Sequence, residues 1–172
     1  MTVRVAALAA VVLMSAACAS GPAPSPPSSP VTSAQPSVEW PSFEPLSVQE
    51  PVANALGMSC TAVEQRIRCG ATRPSGAGLE SDGPGRTDAT DRELSFTATG
   101  PIELESEARR LFAAVADATS GNRALSGEWQ DQIWAAFGDE SAPTPALPNG
   151  VSWGASRQNL GDVLVWTLSL TW

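Results

Sequence analysis

Cys60 and Cys69 bracket the segment that most restricts how this chain can fold, Cys-Thr-Ala-Val-Glu-Gln-Arg-Ile-Arg-Cys. With Glu64-Gln65 as a two-residue turn, Val63 faces Arg66, Ala62 faces Ile67, Thr61 faces Arg68 and Cys60 faces Cys69. Counting out from that turn, the cysteines fall on a non-hydrogen-bonded pair, where Cα atoms lie ~4.5 Å apart and a disulfide can bridge them. Period-two alternation puts Cys60, Ala62, Ile67 and Cys69 on one apolar face. Glu-Gln fits the primed turns of short hairpins poorly, so a four-residue loop in the same register is the alternative. A redox dithiol would need closer spacing and a catalytic neighbour, and neither is present. As a structural crosslink closing about ten residues, the pair contributes ~2–3 kcal/mol.

Disulfides persist outside the reducing cytosol, and residues 1–17 explain how this chain gets there. Arg4 precedes ten unbroken apolar residues, Val5 to Met14, which are followed by Ser15, Ala16 and Ala17. A charged start, a short apolar core and small residues before a cut site describe a secretory signal peptide. A permanent membrane span needs about 18 apolar residues, more than this core offers.

The four residues Ser15-Ala16-Ala17-Cys18 resemble the lipobox of bacterial lipoproteins, with Ser15 where that family most often has Leu. The resemblance is confined to the leader and implies that Cys18 is lipidated and becomes the mature N-terminus. Lipoproteins carry a diacylglyceryl group and usually a third chain, such as palmitate, and two or more chains hold a protein stably on a bilayer. The implied partner is membrane lipid through acylated Cys18, and the implied address is the extracytoplasmic face of the cell membrane. Simple cleavage after Ala17 is the alternative, and it leaves Cys18 as an unpaired thiol.

Composition narrows the chemistry. The chain has no His, no Tyr and no Lys, its positive charge being all Arg. Ser-His-Asp triads, Cys-His pairs and imidazole metal ligands are therefore excluded, as are Schiff-base and Ser-Lys chemistry. Loss of Arg4 with the leader takes the net charge from −8 to −9. Phosphate backbones are bound through clustered Lys and Arg, so nucleic acid is not an expected partner.

Residues 18–45 read as the lipidated cysteine and a linker: Ala19 to Pro45 contains eight Pro and seven Ser. Such chain favours extended polyproline II at ~3.1 Å per residue and builds no core. Trp40 and Phe43 mark where the folded part begins. Residues 46–172 form one α+β domain. Pro51 interrupts the stretch from Leu46 to Met58, which is assigned no element. Arg73 to Arg92, with four Gly and the acids Glu80, Asp82, Asp88 and Asp91, reads as a solvated loop; its acids lack the spacing of a calcium loop.

Glu93 to Thr99 alternates and predicts a strand, with Leu94 and Phe96 on different registers, stopped by Gly100-Pro101. Leu104, Ala108, Leu111, Val115 and Ala118 recur at helical spacing, with Glu103, Glu105 and Glu107 in the first turns and Gly121 at the end. Arg109 and Arg110 pair with Glu105 and Glu107 on a solvated face. Ser126 is expected to cap a second helix running through Phe137 to Gly138. Val151, Trp153 and Ala155 alternate with small polar residues. After a turn at Gln158 to Asp162, Leu164, Trp166, Leu168, Leu170 and Trp172 share one face of a last strand.

The expected fold is an antiparallel sheet (hairpin, strand, then C-terminal hairpin) with two consecutive helices packed on one face. For function the sequence points to a non-catalytic envelope module that binds another protein, a polymer or a small ligand, with no cofactor and no metal. One alternative is a cell-wall carbohydrate-binding module, in which Trp153, Trp129 and Trp134 are the candidate stacking residues. The stripe Trp129, Ile133, Trp134 and Phe137 equally suits a buried helix face. Another alternative is a carboxylate-dependent hydrolase with Glu128 as its first candidate.

Overall fold

The computed structural model describes residues 39–86, 89–139 and 141–172. The leader at 1–17, Cys18 and the linker up to 38 lie outside the described residues, as does Asp88. From Glu39 on, the chain forms α1 (Pro45–Ala55), β1 (Ser59–Val63), β2 (Arg66–Thr72), β3 (Gly78–Pro84) and β4 (Glu93–Pro101). A 3-10 turn (Ile102–Leu104) leads into α2 (Glu105–Ser120), α3 (Arg123–Gly138), β5 (Ser152–Asn159) and β6 (Val163–Thr171). The strands make one antiparallel sheet in the order β1-β2-β3-β4-β6-β5. This is the α+β architecture expected, with one more strand and one more helix.

Alternation decides which face each strand buries. Leu94, Phe96 and Ala98 on β4 and Leu164, Trp166, Leu168 and Leu170 on β6 are all buried, while the residues between them are half-exposed. Leu94 and Phe96 thus lie on one face and not on different registers, because residues two apart in a strand point the same way. The ladder continues through Gly100-Pro101, where Pro101 pairs with Val163 at the strand's end.

All three helices cover that face. In α2, Ala108, Leu111, Phe112, Val115 and Ala116 are wholly inaccessible, and each large side chain contributes ~1.5–3 kcal/mol by leaving water. The helix stops at Gly121, whose φ of 60° is the left-handed conformation glycine adopts without cost. In α3, Trp129, Ile133 and Phe137 point inward, so the aromatic stripe serves the core. Its cap is Asn122, not Ser126: the Asn122 side chain accepts from the Ala124 and Leu125 amides. Ser126 lies inside the helix, buried, and its hydroxyl donates to Asp117 on α2.

Two elements arise where the sequence predicted none. In α1, Val48, Gln49, Val52 and Ala53 form a buried stripe at helical spacing, which Leu56 continues at the C-cap. Pro45 occupies the first turn, where a missing amide costs nothing, and Pro51 sits on the exposed side. In the glycine-rich stretch, β3 alternates buried Leu79, Ser81 and Gly83 with outward Glu80 and Asp82. Gln49 fastens α1 to these strands, its side-chain amide donating to the Ile67 carbonyl at 2.9 Å and to the Ser81 hydroxyl at 3.0 Å.

The folded part reaches back as far as Trp40. Its ring stands edge-on to Trp129 at 6.0 Å, and Phe43 packs against Trp172 at 4.9 Å. Among the described residues, no helix is long and apolar enough to cross a membrane.

Candidate functional site: the open face of the sheet

The uncovered face of the sheet is lined by small polar side chains whose positions follow from register. One row across the strands runs Thr61, Arg68, Asp82, Ser95, Ser169, Gly154. The next runs Ser59, Gly70, Glu80, Thr97, Thr167, Ser156. Above β1 to β4 these rows form a groove of about 640 Å³, lined by Thr61, Val63, Arg68, Glu80, Asp82 and Thr97 among others.

Its fixed charges are cross-strand pairs. Asp82 receives Arg66 on one carboxylate oxygen and the Arg68 Nε on the other, the latter at 2.7 Å. Arg66 also reaches Asp91. A carboxylate with both oxygens held by guanidinium groups is an anchor for the two arginines. Glu80, two residues away on the same face, is exposed. Arg68 stays 62% exposed while holding Asp82. The groove therefore offers hydroxyl groups, one open carboxylate and one open guanidinium on a rigid sheet. This arrangement suits hydrogen bonding to a polar chain.

The hairpin beneath it is fixed as its sequence requires. Cys60 and Cys69 are joined by a disulfide across the expected pair, with Cα atoms 3.9 Å apart, and Val63 pairs with Arg66. Glu64 accordingly takes a φ of 56°.

The tryptophans are elsewhere. Trp153 is on edge strand β5 but is only 5% exposed, and its indole N–H donates to the Pro145 carbonyl at 2.8 Å. Trp129 is buried between Trp40 and Trp153. Trp134 is half-buried, with the Arg109 guanidinium 4.1 Å from its ring centre. Arg109 in turn pairs with Glu105 at 2.6 Å, and Arg110 lies 3.7 Å from Glu107. Among the described residues, no indole stands on the open face. Glu128 is exposed at the rim of a separate crevice of about 240 Å³ that Trp40, Trp129 and Leu147 also line. Among the described residues, no group of three or more acidic or cysteine side chains converges as a metal site.

Sequence reasoning missed the groove because two of its charged residues, Glu80 and Asp82, lie on the strand taken for a loop. The alternation Leu79-Glu-Ser-Asp-Gly83 was the available signal, and it is faint because Ser and Gly fill the inward positions. No family model, curated protein or solved structure matches this chain.

Proposed function

We propose that the protein is an exported cell-envelope protein, anchored through acylated Cys18, whose domain is a non-catalytic binding module with the open sheet face as its binding surface. The groove over β1 to β4 is the observation that carries this reading. It combines unused hydrogen-bonding groups with a backbone that needs no reordering to receive a ligand. The leader and the lipobox resemblance carry the anchor. The Pro/Ser-rich linker gives the domain reach away from the bilayer.

Two measurements test the proposal. Mass spectrometry of the mature protein is expected to show a diacylglyceryl-modified Cys18 and no Met1. An unmodified chain in the culture medium would overturn the anchor. Titration of the 15N-labelled protein with soluble cell-wall fragments and with peptides is expected to shift the amides of Thr61, Arg68, Ser95 and Thr97. Shifts confined to the helices would overturn the assignment of the surface.

A further inference from the structure

We propose that β1 is a docking edge for an extended polypeptide segment, which adds to the sheet beside β1 and lays alternate side chains over the groove. The inference rests on the open face being the binding surface and names the ligand class.

The edge is open by construction. β1 ends the sheet, and all five of its residues are exposed. Counting from the two-residue turn, Ser59, Thr61 and Val63 exchange backbone hydrogen bonds with β2. Cys60 and Ala62 sit in the intervening non-hydrogen-bonded pairs. Their N–H and C=O groups therefore point away from β2, and no described strand pairs with them.

Edge strands are ordinarily guarded by charge, proline or a bulge, since an open ladder invites another chain. Ser-Cys-Thr-Ala-Val has no charge and no proline, and its register with β2 is unbroken. The opposite edge, β5, carries Arg157 and Gly154. Crosslinking by Cys60–Cys69 also holds β1 in place, so docking need not order it.

The edge and the groove are continuous. Ser59, Thr61 and Val63 line the groove from its β1 side, so every second residue of an added strand arrives above it. Arg68 lies directly across from Thr61 and is the exposed cation there. Opposite Thr61 an acidic side chain meets the exposed end of Arg68, whose Nε stays on Asp82, whereas opposite Ser59 the exposed Glu80 disfavours one.

A second copy of this chain fits less well. A five-residue strand is ~17 Å long, and edge-to-edge pairing over that length falls short of the ~1,200 Å² a stable interface buries. A peptide uses the edge and the groove together.

The probe is a set of linear heptapeptides selected by phage display against the full chain in detergent, then synthesised and titrated. Binding in the micromolar range is expected, with Asp or Glu recurring at one groove-facing position and that preference lost in Arg68→Ala. Ala62→Pro removes only the outward-pointing amide and should weaken binding about tenfold, with the disulfide and thermal midpoint retained. Thr97→Arg fills the groove away from the edge and should weaken it similarly. N-methylation of alternate peptide amides gives the same test without altering the protein: one alternating set is expected to cost about tenfold and the other nothing.

Peptides weakened by Thr97→Arg but indifferent to Ala62→Pro and to N-methylation would overturn strand addition while leaving the groove as the site. Indifference to every change would overturn both. Failure to select any peptide binding below ~1 mM would overturn strand addition. So would a dimer that Ala62→Pro dissolves, which would make the occupant a second copy.

Discussion

Gly83 on β3 lies so close against Leu94 on β4 that a Cβ at position 83 would run into the Leu94 Cδ1. Leu94 is fully buried, so its side chain must turn within a packed interior to make room. Gly83→Ala is expected to destabilise the domain by about 1–3 kcal/mol, the usual cost of overpacking. A urea midpoint equal to wild type would show that Leu94 can move aside.

The disulfide acts mainly on the unfolded chain. Replacing both Cys60 and Cys69 by Ser should lower stability by ~2–3 kcal/mol while the hairpin persists, since the backbone ladder from Ser59–Gly70 to Val63–Arg66 still joins β1 to β2. Cys60→Ser alone should cost less, because it removes the same crosslink at an exposed position and leaves a thiol, not a hydroxyl, at the Cys69 site that is only 3% exposed. Equilibrium unfolding of the two variants separates these contributions.

Asn122 caps α3 in place of the expected Ser126, and mutagenesis can tell the two residues apart. Asn122→Ala removes the α3 cap and should cost ~1 kcal/mol. Asn122→Ser, which restores a capping oxygen, should recover most of that. Ser126→Ala breaks the tie to Asp117 and leaves its carboxylate and the Gln130 amide without that partner. Its cost should then shrink when Asp117→Asn is added, a coupling that a double-mutant cycle measures.

Asp139, just past α3, is held below the usual aspartate range. The Ser141 hydroxyl is the larger cause and the Ser141 backbone amide the smaller. Because the folded value is the lower one, the contribution is present above the unfolded pKa and lost as pH falls through the folded pKa. Ser141→Ala should move the Asp139 titration upward, as read from its carboxyl carbon by NMR. An unmoved titration would place the cause elsewhere.

The C-terminal residues belong to the sheet. Deleting Trp172 alone removes its contact with Phe43 and should cost about 1 kcal/mol. Deleting residues 170–172 also removes Leu170, fully buried between Leu94 and Trp153 in the ladder. Loss of a buried Leu costs 2–5 kcal/mol, a large part of a typical domain's stability. The shortened chain is expected to express as aggregate.

By itself the sequence determined the elements whose pattern is written in consecutive residues. The Cys60–Cys69 hairpin follows from spacing and alternation, α2 from its apolar period and closing Gly121, and β6 from five inward residues in strict alternation. Tertiary structure decided the rest, where local preference and global packing disagree. Pro51 argues against a helix, yet burying Val48, Val52 and Leu56 outweighs one lost backbone hydrogen bond, so α1 forms. The glycines and acids of β3 have little strand preference, but β2 and β4 supply a partner for each of its edges. Asn122 and Ser126 are both good caps on paper, and only the docking of α3 on α2 buries Ser126 against Asp117. The groove belongs to this second class, because a face shared by four strands exists only once their register is set.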